Sequence, residues 1–294
     1  MRWLVIVFGF LAFTSPVSAH GLGEAWSSEA TWTADPLILA PLYIVALIFL
    51  TGSIRLWRHA GFGRGTLLRQ VACFWIGWTV LALALLSPLH WLSDQLLSAH
   101  MVEHELIMAV AAPLLVLSRP LGVFVWAIPQ TWRVAFAQMF VIPILVGLGS
   151  EPIAATALHS ATIWAWHLPP LFDAALANRW VHMAQHVSFL ATALLFWWAV
   201  LNVPLARRGV AAFHLFATML ALTSLGALMT LSSHPLYASY HAHQVFQLSA
   251  LEDQQLAGLI MWVPGCAIYA VAALALLGQW VSKSGLSSPR LANV

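Results

Sequence analysis

The sequence has very little charge: only 7% of its 294 residues are Asp, Glu, Lys or Arg, whereas 61% are hydrophobic. A soluble globular domain carries about 25% charged residues, so this chain lacks the polar surface that a water-soluble enzyme needs. The net charge of +2 leaves no basic patch, which excludes a nucleic-acid-binding protein. The composition therefore indicates a protein embedded in a lipid bilayer.

Cysteine is also scarce, and histidine is not. The two cysteines, Cys73 and Cys266, lie far apart in the sequence, which excludes a disulfide framework and a Cys-x-x-Cys metal site. Histidine occurs 13 times, more often than Asp and Glu together, which number 10. Because an apolar bilayer protein has no general use for so many imidazoles, we expect any chemistry of this chain to depend on histidine.

The first residues are typical of a secretory signal peptide. Arg2 supplies the positive charge, residues 4–13 form the apolar core, and Val17-Ser18-Ala19 is a small-residue cleavage site. We therefore predict a signal peptide at residues 1–19, cleaved before His20, and one membrane domain over residues 20–294. An uncleaved first helix is the alternative, and both interpretations place residues 20–35 outside the cytoplasm.

Seven apolar segments are each close to the ~20 residues that a helix needs to cross a bilayer. They lie at residues 36–57, 70–88, 99–118, 150–168, 181–201, 211–232 and 252–280. Residues 120–149 are apolar too, but they contain three prolines and Arg133, so we predict interfacial helices there between spans three and four. The predicted fold is all-α, a polytopic bundle of seven transmembrane helices.

The positive charges predict the orientation of this bundle. With the N-terminus outside, ten basic residues face the cytoplasm, namely Arg55, Arg58, Arg64, Arg69, Arg119, Arg133, Arg207, Arg208, Lys283 and Arg290. Only Arg179 faces outward, apart from Arg2 in the signal peptide. Since cytoplasmic loops carry the excess of Lys and Arg, we predict seven spans with the N-terminus outside and the C-terminus inside.

Most histidines fall on the outer side of this topology. The pattern His-Met-x-x-His occurs twice there, each time at the start of a helix that runs inward. It comprises His100, Met101 and His104 in the third span and His182, Met183 and His186 in the fifth. Residues four apart share one helix face, so the imidazoles of each pair point the same way, and Met108 continues the first pair one turn deeper.

Packing of these two spans against each other brings four imidazoles and at least one thioether together just below the outer surface. His167, which precedes two prolines at the end of span four, lies at the same level. Imidazole and thioether ligands favour copper, particularly Cu(I). A cleaved His20 adds a further chelate through its amine and ring. The alternative is that these histidines are only solvated at the membrane boundary and that the methionines fill gaps.

Three further polar residues lie near the histidine pairs. Glu103 adjoins His104, and Asp253 and Gln254 begin the last span. Such groups can hold a ligating imidazole in one tautomer, and we predict this role for all three. Alternatively, Asp253 only complements the positive N-terminus of its own helix.

Two other functions also fit the histidines. A haem protein would use His104 and His186 as axial ligands from facing helices. A membrane zinc hydrolase would use three imidazoles, an open water position and a carboxylate base such as Glu103 or Asp253. The methionines in both pairs favour copper over zinc, and we expect a binding protein rather than an enzyme.

Six short motifs follow one another between residues 36 and 282. They are Ser87-Pro88-Leu89, Ser98-Ala99-His100-Met101-Val102-Glu103-His104, Ala112-Pro113-Leu114-Leu115 with Arg119-Pro120, Trp166-His167-Leu168-Pro169, His182-x-x-x-His186 and Asp253-Gln254-Gln255-Leu256-Ala257-Gly258-Leu259-Ile260-Met261-Trp262. Together they resemble the CtaG family of cytochrome c oxidase assembly factors, the polytopic type. The chain differs from the family pattern at Glu103, Glu105 and Gln185, so the resemblance leaves open which helix supplies the carboxylate that holds an imidazole.

The resemblance implies a bacterial inner-membrane protein that handles copper at the periplasmic face. Its partners would be subunit I of a haem–copper oxidase, which receives the copper, and a periplasmic copper donor. The motif residues to which the resemblance assigns roles are His100, His104, His167, His182, His186 and Asp253.

Overall fold

The computed structural model of this chain describes residues 32–137, 151–237, 240 and 248–284. Within these residues the regular structure is entirely helical, which confirms the predicted fold class. The predicted signal peptide, His20, His241 and His243 lie outside the described residues.

Thirteen α-helices are described. They are α1 (Pro36–Ala60), α2 (Leu68–Leu86), α3 (Pro88–Ser93), α4 (Leu97–Glu105), α5 (Ala112–Leu117), α6 (Pro120–Ala127), α7 (Gln130–Ala137), α8 (Pro152–Trp166), α9 (Pro169–Ala177), α10 (Arg179–Leu201), α11 (Arg208–Leu231), α12 (Ala250–Ile260) and α13 (Cys266–Ser284). A π-helical segment, Leu106–Ala111, joins α4 to α5, and a second one, Met261–Gly265, joins α12 to α13. A short 3-10 helix, Leu205–Arg207, precedes α11.

In the described part of the chain, six helical segments are long and apolar enough to cross a membrane. They are α1, α2, α4 with α5, α10, α11 and α12 with α13, and they match six of the seven predicted spans. The remaining span, predicted at residues 150–168, forms α8, which has 15 residues, fewer than the ~20 that a crossing needs. The chain is therefore a multi-pass membrane protein, and the count of seven spans stays a prediction.

One end of the bundle brings together the starts of α1 and α10 and the end of α2. Arg179 at the start of α10 forms an ion pair with Asp35, which caps α1. The backbone N–H of Thr33 donates to the carbonyl of Leu86, at 2.8 Å. Because both histidine pairs begin their helices, this is the end at which they lie.

The opposite end of the bundle contains the start of α2 and the end of α10, together with ends of α5, α11 and α13. Gln70 at the start of α2, Arg119 after α5 and Asn202 after α10 line one cleft. Arg208 at the start of α11 hydrogen-bonds Gln279 near the end of α13. Helices α1 and α10 therefore start at the end that holds the histidine pairs, whereas α2 and α11 start at the opposite end. The two ends are about 28 Å apart, since α2 has 19 residues at ~1.5 Å each.

Helices α6 and α7 occupy the segment that the sequence predicts as interfacial, and residues 138–150 of that segment lie outside the described residues. Each of the two helices has eight residues. Helix α6 lies directly on α1 at Gly52, where a Cβ atom would be 2.1 Å from the carbonyl oxygen of Val123. Only a glycine lets the two backbones come so close.

Small residues also let α11 and α12 pack with their backbones in contact. A Cβ atom on Gly258 would lie 2.5 Å from both the carbonyl oxygen of Gly226 and Oγ1 of Thr230. On the other helix, a Cβ on Gly226 would lie 2.7 Å from the Gly258 carbonyl oxygen. Such close approach at small residues is typical of packed membrane helices, and it holds α12 against α11.

We expect Gly258→Ala to destabilise the protein by about 1–3 kcal/mol, because the methyl group meets backbone atoms that cannot move independently. Thermal unfolding of the purified protein in detergent measures this. The control is Gly278→Ala, whose Cβ would have no neighbour within 4 Å and should not lower the unfolding midpoint. An unchanged midpoint in Gly258→Ala would contradict the close contact.

Candidate metal centre

Asp253 positions the helix that carries the first histidine pair. Its Oδ2 accepts a hydrogen bond from the backbone N–H of Leu97, at 2.6 Å. Its Oδ1 accepts from the backbone N–H and the hydroxyl of Ser98, at 3.1 and 2.5 Å. These bonds satisfy donors that are otherwise free at the start of a helix. The carboxylate thus caps α4 rather than its own helix, and it fixes the pair through the backbone instead of through an imidazole.

Gln254 connects α12 to the segment that follows α11. Its Oε1 accepts from the backbone N–H of Leu236, at 2.6 Å. Its Nε2 donates to the carbonyl of Met229, at 3.3 Å, and to that of His234, at 3.4 Å. All of these partners are backbone groups, so Gln254 orders the segment between α11 and α12. The predicted role of Gln254, to orient an imidazole, is not the role that these hydrogen bonds give it.

Six histidines lie together at one end of the bundle. This histidine cluster consists of His90, His100, His104, His167, His182 and His186. The pairs on α4 and α10 face each other, because the two helices pack together at this end. The ring centroids of His100 and His182 are 5.5 Å apart, and those of His104 and His186 are 5.3 Å apart.

Within each pair the rings are also close, with centroids 4.3 Å apart for His100 and His104 and 4.4 Å apart for His182 and His186. The four rings therefore form a compact group between α4 and α10. His100 and His104 are completely buried, whereas the side chain of His186 remains 11% exposed. The second pair thus forms the more accessible side of the cluster.

His167 and Met101 extend the cluster on one side. Nδ1 of His167 is 2.7 Å from the carbonyl oxygen of Ile163, which can only accept, so the proton is on Nδ1. The lone pair of the neutral ring is then on Nε2, which lies 3.4 Å from Sδ of Met101. Because the His167 ring is 6.3 Å from that of His104, a thioether and an oriented imidazole border the first pair.

His90 joins the cluster from the short helix α3, a position that the sequence analysis did not select. Its Nδ1 lies 2.8 Å from Oε1 of Glu103, and its ring stacks on His182 at 5.8 Å. Glu103 is completely buried and also lies 4.0 Å from Nε2 of His186. Glu103 therefore lies beside imidazoles, as predicted, and its hydrogen-bond partner is His90.

Burial and nearby charges shift the pKa values of His90 and Asp94, which lie outside the spans. Burial lowers the pKa of His90, but the hydrogen bond and charge of Glu103, with smaller contributions from Asp94 and Asp35, raise it overall above its ordinary value. Burial raises the pKa of Asp94 to about 6, although His90 opposes this rise. His90 and Asp94, at the rim of the cluster, therefore both keep a proton to a higher pH than such groups ordinarily do.

Most ring nitrogens of the central four histidines have no hydrogen-bond partner in the described part of the chain. These atoms are Nδ1 and Nε2 of His100 and His104, and Nε2 of His182 and His186, all buried. Leaving a buried polar group unpaired costs about 1–3 kcal/mol, so such groups are rare and call for an explanation. A ligand that accepts nitrogen lone pairs would satisfy them.

Among the described residues, no three His, Cys, Asp or Glu side chains are arranged to hold one metal ion together. The part of the chain that the structure describes therefore holds no four-ligand site of the kind that a structural zinc ion requires. The cluster provides closely spaced imidazole rings, with the thioether of Met101 beside His167.

The two other predicted methionines occupy different environments. Met108 is buried in the apolar core within the first π-helical segment, and its carbonyl accepts from Nε1 of Trp197, at 2.9 Å. Met183 is half-buried next to His182 on α10. Met101 places its sulfur 3.4 Å from Nε2 of His167, a histidine of the cluster.

Glu105 is a second buried carboxyl group on α4. Both of its carboxyl oxygens lack a hydrogen-bond partner among the described residues. A Cβ atom on Gly265 would lie 2.7 Å from its Cδ, so the glycine in the second π-helical segment makes room for this group. Glu105 therefore packs against the segment that joins α12 to α13.

One protein family and three curated proteins match this chain. The sequence model of one family, the cytochrome c oxidase caa3 assembly factors, matches residues 47–283. An uncharacterised protein of Mycobacterium leprae is 24% identical over 269 residues, which cover 85% of this chain and 39% of that protein. Uncharacterised proteins of Mycobacterium bovis and Mycobacterium tuberculosis are each 26% identical over 272 residues, with the same coverage.

The chain spans about two fifths of the length of these curated relatives. No solved structure matches the sequence.

Proposed function

Because this chain belongs to the family of cytochrome c oxidase caa3 assembly factors, we propose that it binds copper at the histidine cluster and delivers it to a haem–copper oxidase. The observation that carries the proposal is the set of buried imidazole nitrogens without hydrogen-bond partners, next to the thioether of Met101. Copper is the cargo here, and the cluster is the place where it is held in transit.

The donor set favours Cu(I) over other ions. Thioether and imidazole are ligands that Cu(I) accepts, whereas Mg²⁺ and Ca²⁺ prefer oxygen. Cu(I) is bound stably by few ligands, and two imidazoles from facing helices, such as His104 and His186, provide them. Zinc would need three or four ligands around one ion, a grouping that is not formed within the described residues.

The charge difference between the two bundle ends supports a periplasmic position for the cluster. The end opposite the cluster carries most of the described basic residues, namely Arg55, Arg58, Arg64, Arg69, Arg119, Arg133, Arg207, Arg208 and Lys283. Arg179 lies at the cluster end. Since basic residues accumulate on the cytoplasmic side, the cluster faces the periplasm and the protein lies in the bacterial inner membrane.

Delivery requires a site that a partner can reach. His182 and His186 lie in the first two turns of α10, and the side chain of His90 is 16% exposed. A periplasmic copper donor can therefore load the cluster from its exposed rim. Subunit I of the oxidase, docked in the same membrane, then removes the ion by offering its own ligands in exchange.

Anaerobic loading of the purified protein with Cu(I) against a competing chelator tests this function. We expect stoichiometric copper by elemental analysis and no Soret band in the optical spectrum. A strong Soret band would assign the cluster to haem instead. Stoichiometric zinc together with no retained copper would also contradict the proposal.

A further inference from the structure

A cleft lined by basic residues lies at the end of the bundle opposite the histidine cluster. Its volume is about 480 Å³. The residues that line it are Arg55, Arg58, His59, Trp126, Gln130 and Arg133. They come from the last turns of α1, the end of α6 and the start of α7. No acidic side chain is among them.

Two of the guanidinium groups are held in place by backbone carbonyls. Nη1 of Arg55 donates to the carbonyl of Ala127, at 2.5 Å. Nε of Arg133 donates to the carbonyl of Ile128, at 3.0 Å, and its guanidinium lies 4.2 Å from the ring centroid of Trp126. These contacts fix the end of α6 and the two arginines relative to each other before any ligand arrives.

Arg58 completes the charge of the cleft. It lies one turn after Arg55 on the same face of α1, and it forms no ion pair with any of the described carboxylates. Three guanidinium groups that share a cleft, without a carboxylate partner among the described residues, repel one another. Since the guanidinium fork matches phosphate oxygens in geometry and charge, a bound phosphate group would relieve this repulsion.

We propose that this cleft binds a phosphate group, carried by the headgroup of an anionic membrane lipid or free in solution. The cleft lies where α1 ends, and a tryptophan at such a position is typical of the membrane interface. Basic pockets between helices on the cytoplasmic side recognise anionic headgroups. This site is separate from the histidine cluster, and its test does not depend on copper.

A neighbouring cleft favours the lipid as the source of the phosphate. It has a volume of about 590 Å³, shares Trp126 with the basic cleft, and is lined in part by Leu56, Leu121 and Val123. An acyl chain attached to a headgroup in the basic cleft would meet these apolar side chains. Free phosphate would make no use of them.

Native mass spectrometry of the full chain, incubated with equal amounts of phosphatidylglycerol and phosphatidylcholine, tests the proposal. We expect preferential retention of phosphatidylglycerol, reduced about fivefold to tenfold in Arg58→Gln. The matched control is Arg69→Gln, which removes an exposed arginine at the same end but outside the cleft. Equal losses in both variants, or equal retention of the two lipids by the unaltered protein, would overturn the proposal.

A second titration, with inorganic phosphate in a zwitterionic detergent, identifies the source. Phosphate binding that is lost in Arg58→Gln assigns the cleft to free phosphate, while lipid retention without phosphate binding assigns it to the headgroup. Arg58→Lys keeps the charge without the fork, and we expect it to retain intermediate binding. Copper loading should be unchanged in all of these variants.

Discussion

Replacing both His104 and His186 by alanine should reduce copper retention to background and abolish the proposed contribution of this protein to oxidase assembly. These rings face each other across α4 and α10 with centroids 5.3 Å apart. Three of their four ring nitrogens are buried without hydrogen-bond partners among the described residues. Removing both rings therefore removes one proposed ligand from each of the two helices. Elemental analysis after Cu(I) loading, and oxidase activity in membranes of complemented cells, measure the two effects.

The control for this prediction is His234→Ala, because His234 is an exposed histidine after α11 and outside the histidine cluster. It should keep full copper loading. His104→Met offers a thioether in place of the imidazole, so it should retain more copper than His104→Ala if the ring is a ligand. Unchanged copper binding in the double alanine variant would contradict the proposed centre, and gel filtration identifies variants that fail to fold.

Asp253→Asn is expected to destabilise the protein by about 2–4 kcal/mol and to weaken copper binding together with stability. The carboxylate accepts three hydrogen bonds from Leu97 and Ser98. An asparagine amide directs its NH₂ group at one of these donors and leaves buried N–H groups unpaired, which is costly. The start of α4, which carries the first histidine pair, then shifts. Thermal unfolding with and without Cu(I) measures both consequences.

Glu252→Gln provides the matched control, since Glu252 precedes Asp253 on the same helix. Its carboxylate closes a capping box with Ser249 at the protein surface, so we expect a smaller loss of stability and no change in copper binding. If Asp253→Asn lost copper while its unfolding midpoint stayed unchanged, the carboxylate would act on the metal or its ligands rather than by capping α4.

Local periodicity predicted the parts of this protein that depend on neighbours in sequence. Long apolar runs predicted the helices, and the four-residue spacing of His182 and His186 predicted a shared face that the structure confirms. The limit of that reasoning appears at α8, where an apolar segment predicted as a full span forms a helix of only 15 residues. Helix α8 begins only at Pro152, because proline disfavours helical conformation in the residue before it, Glu151.

Local periodicity could not predict contacts between segments that are far apart in the sequence. Asp253 lies 155 positions from Ser98 in the sequence, and nothing in either motif indicates that one caps the helix of the other. His90 belonged to a short connection with no periodic pattern, so its hydrogen bond to Glu103 had no local signal. The Ser87-Pro88-Leu89 motif directly before it was the nearest indication that this connection matters.

By itself the sequence determined a multi-pass helical membrane protein, its family and the two histidine pairs, since hydropathy and helical spacing are local properties. Only the tertiary structure decided which polar groups meet. It placed His167 against Met101, His90 against Glu103 and Asp253 at the start of α4. The physical reason is that a helix fixes which residues share its face, whereas the partner of that face is chosen by close packing of small residues and by the pairing of buried polar groups.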